Sequence, residues 1–520
     1  MRHRRSATAP MLLLVGALLV GACALPGAKG PLPKVAAPDE TAQLRWLDRV
    51  TWGANASSAK ELSQAGLPGW LRDQLHPKPA ALPPEAQARI DAMTISRTPV
   101  EQIVASLGAE RRAMNDMADE AQKQEARKTY QQDLTRLTRE AQQRFVLRAV
   151  YSPNQLEEQM TWFWMNHFNI SVRKANLRAL VADYEQAAIR PHALGKFRDL
   201  LGATLHHPAM LLYLDNAQNA ANRVNENYAR ELMELHTLGV DGGYTQADVQ
   251  ELARVLTGVG IRLRPDAPAP VIRPALRGDY VRQGLFEFNP NRHDYGPKTL
   301  LGQPMTKQGL AEVDEALDRL ARAPATARFI SRKLAVYFVA DDPPPELVAR
   351  MADTFRRTDG DIAATLQTMF ESPEFTASLG RKFRDPAHYV IAGVRLASDG
   401  RVISNVNPVL FWIARMGEPL YAHETPDGYP LTQDAWASAG QMNTRFEVAR
   451  AIGTNGAVLF RRDDEAADAQ PVAMPRLADA PTVRVAMLSL SADTREALAQ
   501  AKSPQDWNTF LLASPEWMHR

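Results

Sequence analysis

Cysteine is almost absent: a chain of 520 residues holds one, Cys23. This excludes internal disulfides, a thiolate zinc site and a covalently attached haem, which needs a CxxCH pair. Stability must therefore come from a buried core, and a chain of this length can form a large one. Excess charge of one sign is missing as well. The formal net charge is +2, too little for the basic footprint of a nucleic-acid binder. Beyond the first 22 residues no apolar run is long enough to span a bilayer, and no repeat of fixed period occurs.

What is present begins with MRHRRSATAPMLLLVGALLVGACALPG. A basic start, about a dozen apolar residues and a small-residue cleavage site predict a signal peptide over residues 1–22. Val20-Gly21-Ala22-Cys23 is similar to a bacterial lipobox, so the sole cysteine is expected to carry lipid and anchor the chain to the membrane. In such lipoproteins Ala24 after the cysteine implies the outer membrane. Arg4-Arg5 lacks the hydrophobic residues that follow the pair in a twin-arginine signal. Removing Arg2, Arg4 and Arg5 turns the formal charge of +2 into −1. Residues 23–40 read as the lipidated cysteine with a Pro/Gly/Ala tether. Residues 41–520 read as a single large, mainly α domain, helical-bundle-like, with a small β-hairpin and long Pro-rich loops; a subdivision near 265–305 stays open.

Within that domain Glu101 to Tyr151 is rich in Glu, Gln, Lys and Arg, as expected of one or two long, mostly solvated helices. Ser152-Pro153-Asn154-Gln155 predicts a helix restart with a cap, a proline at the first helical position and a capping-box glutamine. TWFWMNHFNIS follows, apolar on nearly every side, so Asn166 and His167 need partners inside the core. His207-Pro208 starts a further apolar helix.

Polar groups concentrate in NENYARELMELHTLGVDGGYTQADVQELARVLTG, Asn225 to Gly258. At helical spacing Asn227, Arg230, Glu231 and Glu234 share one arc, with Glu226 just before it. His236 falls on the opposite side with Tyr228, Leu232 and Met233, so ELMELH is not a zincin motif. Gly239 reads as the helix stop. Thr245 and Asp248 read as the capping box of the next helix, with Val249, Leu252, Ala253 and Leu256 as its apolar stripe. The turn between them is no EF-hand: only Asp241 and Asp248 supply carboxylates, and the bidentate glutamate is missing.

After a Pro-rich loop, Arg264 to Gly278, GLFEFNPNRHDYGPKTLLG predicts a small hairpin followed by a loop carrying His293, Asp294 and Lys298. FISRKLAVYFV, Phe329 to Val339, is expected to be buried on one face with Arg332 and Lys333 exposed or turned to a site. Pro426-Asp427-Gly428-Tyr429-Pro430 is a rigid turn, and Arg461 to Thr482 a charged, Pro/Ala-rich loop.

WFWMNHF, HPAMLLYLDN, the Asn225–Gly258 stretch, RHDYGPKTLLG, FISRKLAVYFVADDPPP, ESPEF and PDGYP together resemble the bacterial Domain of Unknown Function 1800 family, from about Ala42 to the C-terminus. The resemblance implies an exported, largely helical protein and no particular reaction. It also implies a possible partner, since genes of the family often neighbour those of an exported sulfatase- or phosphatase-like family. Met165 stands where the family often has a histidine, which counts against a metal site on that helix.

Three functions stay open. One is an envelope enzyme using Glu231, Glu234, Arg230, His293, Asp294 and Lys298, with Asn166, His167, Glu226, Asn227 and His236 as ligands of a substrate or divalent metal. Another is a non-catalytic envelope scaffold whose polar cluster is mortar between helices. The third is a non-covalent haem binder with His167 or His236 as axial ligand.

Overall fold

The computed structural model describes residues 39–264, 267–461 and 476–520, without the side chains of 455–457. The expected signal sequence, Cys23, nearly all of the expected tether and most of the Arg461–Thr482 loop lie outside the described residues. The chain is mainly helical, with two small antiparallel sheets.

Helix α1 (Glu40–Val50) starts at Asp39, whose side chain accepts from Ala42 N. Helix α2 (Glu120–Tyr151) is capped in the same way by Asp119. Its N-terminal half is solvated, and its C-terminal half buries Phe145, Val146 and Leu147. Helix α3 (Gln155–His167) starts two residues later than the proline predicts, with Asn154 at the N-cap making no side-chain cap bond. Gln155 does not close a capping box. Its Oε1 accepts from Trp52 N at 3.1 Å, and its Nε2 donates to the Ala149 and Ser152 carbonyls. The glutamine thus ties α3 to the two preceding segments. From Leu156 onward every residue of α3 except Glu157 is buried.

The Asn225–Gly258 stretch is a helical hairpin. Helix α4 (Asn227–Glu231) runs into a π-helical turn, Leu232–Thr237, closed by Leu238 N donating to Met233 O at 2.8 Å. A π-turn holds more residues per turn than an α-helix, so spacing alone mislocates whatever follows it. Gly239 ends the element with φ +81°, and a Cβ there would lie 2.8 Å from Phe329 Cδ2. Both the backbone and the neighbouring ring therefore require glycine. Thr245 and Asp248 form the expected capping box of α5 (Gln246–Val255), whose stripe at Val249, Leu252, Ala253 and Leu256 is fully buried.

The hairpin predicted near residue 285 is β2 (Val281–Gln283) against β3 (Phe286–Phe288), and β3 also pairs with β1 (Val259–Ile261) in the order β1-β3-β2. A second pair, β4 (Thr299–Leu300) with β5 (Gln303–Pro304), follows the His293 loop. Helices α6 (Leu310–Arg322) and α7 (Pro324–Phe338) then pack against the helical hairpin of α4, the π-turn and α5, and α8 (Pro386–Ala397) is buried along its whole length.

Candidate active site

Four segments meet at the C-terminal end of α3. Asn166 makes a reciprocal pair with the Pro426–Pro430 turn: its Nδ2 donates to Tyr429 O at 2.9 Å and its Oδ1 accepts from Tyr429 N at 2.6 Å. Asn169 donates to the carbonyls of His423 and Thr425, and Tyr213 Oη donates to Glu424 O. Gly428 has φ +76°, and a Cβ there would fall 2.2 Å from Asn166 O. The turn is thereby clamped onto α3, and Asp427 at its tip accepts from Thr425 Oγ1.

His167 and His236 lie beneath this turn, 1 % and 0 % exposed. The His167 Nε2 is 3.0 Å from the His236 carbonyl. A carbonyl only accepts, so Nε2 carries the proton and Nδ1 is bare. That Nδ1, both His236 ring nitrogens and the Tyr228 hydroxyl have no hydrogen-bond partner among the described residues. Four such atoms in one place are far from the usual satisfaction of buried polar groups. Burial, together with the Lys333 charge, pushes the His236 imidazole down to about 3. Burial also lowers His167, with Lys333 and His236 adding to the effect. Both rings are neutral at pH 7.

Lys333 projects from α7 and is half-buried, with Nζ 5.6 Å from the Phe329 ring centre. It has no carboxylate within ion-pair distance among the described residues. Burial lowers its ammonium to about 8, with Asp427 attracting from a distance. Glu231, also half-buried, is raised by burial and by repulsion from Glu234, against the pull of Arg230. Asp427 and Glu231 also act on Tyr213, which burial raises to about 12. Asp427 thus acts on both Glu231 and Lys333, and Lys333 acts on the two histidines. Shifts of opposite sense in a carboxyl and an amine are what acid–base catalysis requires.

The other predicted residues go elsewhere. His293 Nδ1 bonds to Thr257 O at 2.7 Å, its Nε2 stands 3.2 Å from Glu312 Oε2, and Lys298 Nζ lies 2.9 Å from the same oxygen. Lys298 also donates to the carbonyls of Asp294 and Gly296. Asp294 is held by Arg254 at 2.8 Å, which lowers its carboxyl. This group is closed on itself between α5 and α6, and no hydrogen bond, ion pair or ring contact joins it to Glu231 among the described residues. Glu226 and Arg230 pair at 3.0 Å and share Gln246, while Asn227 donates to Leu214 O. These three shape the hairpin rather than face Lys333.

No group of three or more His, Cys, Asp or Glu side chains is placed to hold a metal ion among the described residues. Around His167 the Phe163, Trp164, Phe168, His236 and Phe329 rings stand 4.5–6.3 Å away, centre to centre. Neither imidazole has an open face for a haem.

Asp427, Asn169 and Tyr213 escape a motif reading, because only the fold brings them to α3. A second polar network was equally hidden. Arg49, 0 % exposed, donates to Ser378 Oγ, Ser378 O, Phe338 O and Arg520 O. His388, lowered to about 4 by burial, pairs with Asp385 at 2.7 Å and reaches Gln159. Charged residues inside apolar helices were the only signal.

Fold and site define a mainly helical protein with a buried cluster of neutral histidines beside a desolvated lysine and uncompensated carboxylates. The chain belongs to the family described as Protein of unknown function (DUF1800), whose model matches residues 45–519. No curated protein and no solved structure matches it.

Proposed function

We propose that the protein is an envelope enzyme, anchored through a lipid on Cys23, with its acid–base site at Glu231, Glu234, Asp427 and Lys333 over His167 and His236. The observation that carries this reading is the lack of compensation. Lys333 and Glu231 are half-buried and of opposite charge, yet neither makes a short ion pair. Elsewhere buried charges are engaged, Glu312 in a pair with Lys298, and Arg49 and Arg395 in several hydrogen bonds to carbonyl and hydroxyl groups. A cluster serving as mortar would show the same closure.

In this mechanism the free amine of Lys333, which forms as pH rises through about 8, takes a proton from a substrate or water. Glu231, whose carboxyl burial and Glu234 raise, returns one to the leaving group when protonated. The neutral histidines supply a hydrogen-bonding wall that does not compete for the proton. The test is a panel of chromogenic ester, amide, glycoside and phosphate substrates with the wild type, Lys333→Met and Glu231→Gln. Turnover with a limb near pH 8 that both variants abolish supports the site. Turnover unaffected by either variant removes it.

The scaffold reading has support at the His293–Lys298–Glu312 group, where Lys298 pairs with Glu312 at 2.9 Å. The sulfatase- or phosphatase-like partner inferred from the family remains a proposal, and that closed group is not where it would act.

A further inference from the structure

A cavity of about 460 Å³ opens between α1, the segment after Ser378 and the C-terminal residues 482–520. That size lies within the range of small-molecule sites. Leu44, Leu379, Val483, Leu490 and Leu511 form its apolar wall. Its charged residues are unequal in their commitments. Asp48 accepts from Ala54 N at 2.9 Å and pairs with Arg384, also at 2.9 Å. Glu516 accepts from Ser491 N and Thr494 Oγ1, both at 2.8 Å. Both lining carboxylates are thus already engaged.

Arg45 and Arg381 are not. Both are exposed lining residues, and neither guanidinium has an anionic partner among the described residues. Gly380, next to Arg381, sits so that a Cβ there would lie 3.7 Å from Arg45 Nε, which brings the two arginines to one side of the cavity. Two further lining residues, Thr482 and Trp517, bury a hydroxyl and an indole N–H without partners. An apolar wall beside two unpaired guanidinium groups has the chemistry of one kind of ligand.

We propose that this cavity binds an amphiphile with a single anionic group, the apolar body on the leucine wall and the anion held by Arg45 and Arg381. Guanidinium forks take carboxylate and phosphate equally well, so both head groups fit. The site is separate from the α3 cluster, and its test does not depend on catalysis.

Isothermal titration calorimetry of the full-length chain with decanoate, decyl phosphate and decyltrimethylammonium, below their micelle concentrations, decides the matter. The expected result is one-to-one binding of at least one anionic probe and none of the cation. Which anion binds tells carboxylate from phosphate. Losing charge-assisted bonds in Arg45→Ala/Arg381→Ala should weaken binding about tenfold or more, with an unchanged melting temperature because both residues are exposed. Ala486→Trp should block it by filling the cavity; should that variant not fold, the arginine pair alone decides. Binding of neither anion, equal binding of the cation, or wild-type affinity in the arginine variant would overturn the proposal.

Discussion

His167 Nε2 donates to the backbone carbonyl of His236 at 3.0 Å, joining α3 to the π-turn that follows α4. The bond fixes one tautomer and leaves the opposite nitrogen bare in the core. Burial makes the pair sensitive to acid. Both imidazoles are lowered in the folded chain, His236 to about 3 against an ordinary 6.5. Below pH 6.5 the unfolded chain takes up protons that the folded chain refuses, so stability falls as pH drops from 6.5 toward 3. His236 contributes about 1.4 kcal/mol per pH unit in that window, and His167 acts in the same direction. Urea titrations of the wild type and His236→Phe between those limits should show the slope reduced in the variant. Equal slopes would mean that His236 charges freely in the fold.

The clamp between α3 and the Pro426–Pro430 turn should be costly to break. Asn166→Ala leaves Tyr429 N and O without their partners, a loss of about 1–3 kcal/mol for each group left buried and unpaired. Gly428→Ala meets both the left-handed backbone and the Asn166 carbonyl, so it should lower the melting temperature as well. Calorimetry on both variants checks this. A Gly428→Ala protein with wild-type stability would place the turn elsewhere.

Lys298 and Glu312 are predicted to be mortar. Lys298→Met leaves a buried carboxylate uncompensated and should cost about 3–5 kcal/mol, whereas Lys298→Met/Glu312→Gln should recover much of it. Denaturant unfolding of the two single variants and the double variant measures the coupling. An additive double variant would show that the two groups do not act as a pair.

Cys23 lies outside the described residues, and its role rests on the lipobox-like sequence around it. Cys23→Ser should move the protein from the membrane pellet to the soluble fraction, with loss of labelling by a palmitate analogue. Retention in the pellet without labelling would mean that another feature holds it there.

Much of the fold was legible because its signals are local. Helical periodicity gave the mainly α class, and Thr245 with Asp248 announced the start of α5 three residues ahead of its apolar stripe. The π-turn was not legible, since a reading at 3.6 residues per turn contains no term for an extra residue. It still separated His236 from Glu231 correctly, because Tyr228, Leu232 and Met233 are all buried on the histidine's side. The site was only half legible. Asn166, His167, Glu231, Glu234 and His236 come from conspicuous motifs, but Asp427 reaches them through contacts 263 residues apart in sequence. His293, Asp294 and Lys298 looked functional because they occupy a loop. Gly296 and Pro297 fold that loop inward, and Thr257, Glu312 and Arg254 consume its polar groups.

The most direct test of the account is the melting temperature of Lys333→Met against the wild type between about pH 6 and 10. A lysine lowered from 10.5 to about 8 destabilises the fold fully below pH 8, and the penalty fades as pH rises toward 10.5. The account therefore predicts a variant more stable than the wild type near neutrality, with the gap closing through that range. A variant less stable than the wild type at pH 7 would show that the ammonium is a structural tie, and would contradict an uncompensated, functional lysine.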